Sequence, residues 1–169
     1  TSGSMDIEKK YMARSFYYLL YSLIKVKYQN TEIVFISHHT EAKEVTEDEF
    51  FHKAESGGTK ISSGYKKALE IIEDRYNPSL WNIYAFHCSD GDNFDDDNEN
   101  AVLYAIKLSE IANLFGYGEI KPDGSIGFSS MLKLYEKIKS DNFSTVQIRK
   151  RQEIFPALRG FLKKDKVKD

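Results

Sequence analysis

The sequence contains a single cysteine, Cys88, no long apolar run and no marked excess of either charge. One cysteine excludes an internal disulfide and a CxxC-type zinc site, and shows no adaptation to an oxidising compartment, so a cytoplasmic protein is expected. The longest apolar stretches, "IVFIS" and "IYAF", fall far short of the roughly 20 residues that span a bilayer. Twenty-four Lys and Arg against 26 Asp and Glu give a formal net charge of -2, which exerts no overall pull on nucleic acid or an anionic membrane. Partners are therefore to be sought in local features. There is no internal repeat or low-complexity linker.

What is present is apolar periodicity. The 169 residues are 41% hydrophobic and 14% aromatic, enough for one sizeable core and a single domain over 1–169. Met12, Phe16, Leu19, Leu20, Leu23 and Ile24 recur at steps of three and four, which predicts an amphipathic helix over about 5–28. "EIVFISHH" is a continuous apolar run ending in polar residues, as in a strand covered on both faces. "EAKEVTEDEFF" reads as a small edge strand, followed by the glycine-bearing loop "ESGGTKISSG". Tyr65, Leu69, Ile72 and Tyr76 mark a second helix with Ser62 or Ser63 as its N-cap and "YNP" as its stop. "WNIYAFHCSDGDN" predicts a strand entering an acidic loop, and "NAVLYAIKLSEIANLF" a third helix. "YGEIKP" then reads as a short strand, "SSMLKLYEKIKS" as a helix, "FSTVQIRK" as a last strand and "IFPALRGFLKK" as a terminal helix. The alternation predicts an α/β fold, an open doubly wound and mostly parallel sheet with helices on both faces.

Sites in such folds lie at the carboxyl ends of the strands. Three loops qualify: the opening "TSGS", which leads into the first helix, "SGGTKISS", and "CSDGDNFDDDNEN". Taken alone, "TSGS" also reads as a linker left by cloning. The chain does not start with Met, and a parallel strand expected before residue 1 is absent from it, so an upstream segment is expected.

Together "TSGSMD", "GGTKISSGYKKA" and "CSDGDN" resemble the three metal-site loops of the von Willebrand factor A-type domain. That family's first loop is Asp-x-Ser-x-Ser. Ser2 and Ser4 take the two serine places, while the aspartate would immediately precede Thr1. Thr59 matches the metal-binding threonine of the second loop and Asp90 the aspartate of the third. The resemblance implies a metal-dependent adhesion site for Mg2+, or Mn2+, bound by Ser2, Ser4, Thr59 and Asp90, whose open position accepts a partner's carboxylate. Magnesium wants six hard oxygens near 2.0–2.1 Å. With three hydroxyls, one carboxylate and no first-loop aspartate, this chain is expected to hold the ion weakly or not at all.

A narrower resemblance spans most of the chain. "HHTEAKEV", "EFF", "GGT" and "RYNPSLWNIYAFHCSDGDN" are similar to the YhbH/YeaH family of bacterial stress and sporulation proteins. It implies a cytoplasmic bacterial protein that works with a neighbouring AAA-type serine protein kinase, with no established catalytic activity. This chain would then be the C-terminal, von Willebrand-like part of a longer protein.

Other features carry alternatives. His38, His39, His52 and His87 near carboxylates suit a transition-metal centre, since imidazole binds zinc or iron. Adjacent strand residues point to opposite faces, however, which keeps His38 and His39 off one ion and favours satisfied loop and core histidines. "DGDNFDDDNEN" could bind calcium, yet its spacing is not that of an EF-hand and acids before a helix are expected for the dipole alone. A solvated cluster at the helix start is favoured, although Asp92 could support the Asp90 site. A nucleophilic Cys88 beside His87 competes with a buried structural thiol, which is favoured. The basic "IRKRQEIFPALRGFLKKDKVK" lacks the aromatic interleaving of single-strand binders and reads as a solvated helix and tail. The tyrosines of "SFYYLLYSL" read as packing. The functional reading is a protein-binding module rather than an enzyme. Its competitor is a metal-dependent hydrolase or phosphotransfer enzyme using Asp90 or Asp92 with the histidines.

Overall fold

A computed structural model describes residues 2–52, 60–124 and 130–165, the first five of these by backbone alone. Helix α1 (Ser2–Lys27) leads into a hairpin of β1 (Phe35–His38) and β2 (Ala42–Val45), then α2 (Glu47–His52) and α3 (Ile61–Arg75). After these come β3 (Tyr84–Ser89), α4 (Asn98–Ile111), β4 (Leu114–Ile120), α5 (Met131–Tyr135), β5 (Phe143–Ile148) and α6 (Ile154–Lys163). The expected α/β class holds: β3, β4 and β5 form a parallel sheet in that order, and helices pack on both faces.

The residues of β4 show how the faces are built. Phe115 and Tyr117 point into one cluster with Ile61 and Tyr65 of α3, Ala105 and Leu108 of α4, and Tyr135 of α5. Leu114 and Ile120 point into the other, with Met12, Phe16 and Leu20 of α1 and Leu158 and Phe161 of α6. Every residue of β4 is buried. Gly116 is what permits the close fit on the α6 side, because a Cβ there would lie 2.9 Å from Phe161 Cδ2 and 3.0 Å from Phe86 Cδ1.

Several expectations need correction. The "IVFIS" strand, expected in the parallel sheet, is β1, and it pairs antiparallel with β2 in a separate two-stranded sheet. Only three residues link β1 to β2, too few for the crossover that parallel neighbours require. "EDEFFH" is helix rather than edge strand: Thr46 Oγ1 accepts from Glu49 N–H at 3.1 Å and Glu49 Oε2 from Thr46 N–H at 3.2 Å, a reciprocal capping box written in the sequence as T-x-x-E. Neither Ser62 nor Ser63 caps α3. Lys60 holds the N-cap position without a side-chain bond, and the capping acceptors arrive from a remote loop. The third helix stops at Ile111 instead of running through "NLF". Asn113 turns the chain by exchanging two hydrogen bonds with Ile83, at 2.8 and 2.7 Å, so that Leu114 and Phe115 enter β4.

Candidate rim site and buried polar network

β3 ends at Ser89 and hands over to Asp90 at the carboxyl edge of the sheet. Asp90 Oδ1 accepts the Asp92 N–H at 3.0 Å, closing a tight turn over Gly91. Gly91 has φ +86°, and a Cβ there would sit 2.3 Å from Glu119 Oε1, so both the backbone and the space beneath demand glycine. The Asp90 carboxylate is about a third exposed and faces the Lys9 ammonium of α1 at 3.6 Å. Helical side chains lean toward the N-terminus, so this contact sets the rim loop against the early turns of α1.

Below the rim lies Glu119, fully buried in β4. Its carboxylate accepts from Tyr117 Oη at 3.0 Å, Ser130 Oγ at 2.6 Å and the Leu132 N–H at 3.1 Å. Tyr117 Oη also meets Ser89 Oγ at 2.8 Å, and Ser89 Oγ accepts from the Gly91 N–H at 3.1 Å. The rim turn thus stands on a satisfied buried network, as a buried carboxylate requires.

The acidic loop supplies the missing cap of α3. Asn93 Oδ1 accepts from Ile61 N–H at 3.0 Å and Asp97 Oδ2 from Ser62 N–H at 3.0 Å, while Ser62 Oγ donates to Asp97 Oδ1. Asp97 is buried, and its charge at a helix start is favourable. Part of the acidic run is therefore a tertiary cap. Asp92, Phe94, Asp95 and Asp96 remain exposed on the same loop.

The histidines divide. His38 Nε2 and His87 Nε2 lie 3.1 Å apart, His87 Nδ1 is 2.7 Å from Tyr65 Oη, and Tyr65 Oη is 3.0 Å from Tyr135 Oη. Burial, reinforced by His38, holds the His87 imidazole well below its usual pKa, and burial with His39 lowers that of His38. Both are therefore neutral at pH 7. Whichever way the protons run along this chain, His38 Nδ1 is buried without a hydrogen-bond partner. His52 sits exposed on α2, 3.9 Å from Asp48. Among the described residues no three His, Cys, Asp or Glu side chains gather as a metal centre would require. Burial, with Asp90 adding to it, raises the Cys88 thiol far above its usual pKa, which makes it a packed thiol and not a nucleophile at neutral pH.

Of the four residues implied as metal ligands, the structure places Asp90 on the rim. Ser2 and Ser4 lie in the first turn of α1 with their side chains outside the described residues, and Thr59 lies outside them altogether. Asp90 fits a hard cation: it is a carboxylate, it is accessible, and it already holds a positive charge in Lys9. Glu119, Asp97 and Lys9 are the neighbours sequence reasoning missed. A lone acid inside the apolar run "LFGYGEI" was the available signal for Glu119; no local pattern marks Asp97 or Lys9.

A family model described as a protein of unknown function, DUF444, matches residues 1–165. A UPF0229 protein of Ruminiclostridium cellulolyticum is 59% identical over 99% of this chain and 42% of its own length. UPF0229 proteins of Bacillus cereus (strain B4264) and Bacillus anthracis (strain A0248) are 47% and 46% identical over 98% of this chain, again 42% of theirs. The chain thus spans about two fifths of the curated relatives it matches. No solved structure gives a significant match. Among the described residues no helix is long and apolar enough to cross a membrane.

Proposed function

The chain belongs to the DUF444 family, and for this member we propose a cytoplasmic protein-docking module with a metal-dependent contact rim at the carboxyl edge of its sheet. The observation that carries this reading is Asp90: an accessible carboxylate at the end of a parallel strand, fixed by its own turn and by the Glu119 network, and already paired with a cation. Magnesium bound there, with Ser2, Ser4 and Thr59 as further oxygens, would supply an electrophilic position for a partner's carboxylate. Phe94, 45% exposed on the same loop, adds an aromatic contact of the kind interfaces favour. The resemblance to stress and sporulation proteins makes an AAA-type serine protein kinase the partner of choice. A hydrolase reading is less well supported, because the one converging histidine pair is buried, neutral and bonded into a tyrosine chain.

Calorimetric titration of Mg2+ and Mn2+, followed by titration of the kinase, tests this in the full-length protein. Expected are metal binding and kinase binding that is lost in EDTA, with both abolished by a Thr59→Ala, Asp90→Ala double variant that keeps its far-UV circular dichroism. Kinase binding that is equal in EDTA and in magnesium would overturn the metal-dependent reading.

A further inference from the structure

A cleft of about 1050 Å³ lies between β1 of the hairpin and β3 of the parallel sheet, and α1 closes one side of it with Tyr17, Leu20 and Ile24. With Met12 and Phe16, these side chains commit the inner surface of α1 to the interior. At about 100° per residue, Ile7, Tyr11 and Tyr18 fall on the opposite side of the same helix, where they are 70%, 51% and 64% exposed. They recur at steps of four and seven, the spacing of a helix-packing seam. Leu80 and Phe155, by contrast, are exposed singly on other elements, as on any surface.

The charge on this outer side is of one sign. Lys10, Arg14 and Lys25 share it and are exposed, and among the described residues no ion pair joins any of them to a carboxylate. Lys10 and Arg14 stand at i and i+4, where like charges repel. Glu8, on the flank of this face, is already taken by two bonds from Arg151, at 3.0 and 2.6 Å. The same guanidinium lies 4.1 Å from the centre of the Tyr11 ring, and Phe51 of α2 meets the Tyr18 ring edge to face at 6.0 Å. Both tyrosines are thus held from one side while most of their surface stays open, which makes them preorganised anchors with little rotamer freedom left to lose.

We propose that the outer face of α1 docks an α-helix from the part of the longer family protein outside these 169 residues, one that sets apolar side chains on Ile7, Tyr11 and Tyr18 and carboxylates against Lys10, Arg14 and Lys25. Two observations select this occupant. The face is cationic with its flanking acid already spent, so its complement is acidic, whereas a second copy of the same face would bring cation against cation. The relatives carry more than half their length outside the matched region, and a tethered segment docks at the raised effective concentration that linkage gives. A lipid surface fits less well, because the broad apolar face of α1 is spent on the core and only a narrow seam is left outside. This inference does not depend on the metal reading, and its test uses no metal.

Hydroxyl-radical footprinting of the full-length protein reads the face directly. The expected result is that Tyr11 and Tyr18 are oxidised more slowly than Phe155, although without a partner both are the more exposed. An Arg14→Glu, Tyr18→Glu double variant leaves the Met12, Phe16 and Leu20 face intact. It should raise Tyr11 oxidation about tenfold, because like charges then meet across the contact. With p-benzoylphenylalanine in place of Tyr18, irradiation should crosslink α1 within one monomer to an Asp- or Glu-bearing segment outside residues 1–169. Tyr11 and Tyr18 oxidised faster than Phe155, or a Tyr11 rate that the double substitution leaves unchanged, would overturn the proposal. So would a crosslink between two copies, or protection that appears only when phosphatidylglycerol vesicles or a second protein is added.

Discussion

The central strand β4 and the strands β1 and β3 beside the cleft differ in how far they are covered. Around β4 every residue is buried, both faces are covered, and the single buried acid has three donors. β1 is half-buried throughout and β3 over Tyr84, Ala85 and Phe86, while His87 and Cys88 are buried and the Cys88 N–H donates to the Tyr17 hydroxyl. A strand's apolar composition therefore marks where it is meant to sit; whether it is covered there depends on what the rest of the polypeptide brings to it.

The largest expected effect should test this contrast directly. Phe115→Ala, 1% exposed beside Tyr65 and Phe143, is expected to cost about 3–5 kcal/mol in denaturant unfolding. Phe35→Ala in half-buried β1 should cost about 1–2 kcal/mol. Equal costs would show the hairpin to be as well packed as the core. Next, Glu119→Gln places an amide among three hydrogen-bond donors and should cost about 1–3 kcal/mol. It should also loosen the Asp90 turn, read as faster exchange of the Asp92 amide.

A pH effect follows in size. His87 and His38 have folded pKa values below the unfolded value of about 6.5. The unfolded chain therefore binds protons first as pH falls, and stability present above pH 6.5 is lost below it. The slope is at most about 1.4 kcal/mol per pH unit for each histidine. Chemical denaturation at pH 7.5, 6.5 and 5.5 should show this fall, and His87→Gln should flatten it. The smallest effect concerns the rim. Lys9→Met removes a partly exposed ion pair and should change stability by less than about 1 kcal/mol, while raising magnesium affinity in calorimetry because the competing ammonium is gone. Unchanged affinity would separate Lys9 from the metal position.

Much of the fold was legible because apolar period and chain punctuation are local. The stripe from Met12 to Ile24 is α1, "FSTVQI" is β5, and the buried face of α6 follows "IFPALRGFL". The end of α4 was misread because "NLF" continues a helical apolar pattern, and only the Asn113–Ile83 bonds stop it. At the candidate site, Asp90 was legible from the polar turn after an apolar strand. The Asp97 cap on α3 was not, since Ser62 and Asp97 are 35 residues apart and each looks locally like something else.

By itself, then, the sequence determined the alternation of helices and strands, the strand end on which Asp90 sits, and membership of its family. Each of these is set by side-chain period, turn chemistry or residue identity within a short window. The tertiary structure decided which strands pair, that β1 turns back on β2, that Glu119 supports the rim, and that a cleft separates hairpin from sheet. Those outcomes turn on backbone hydrogen bonds and buried polar contacts between distant segments, and their energies depend on which partners the fold brings within reach.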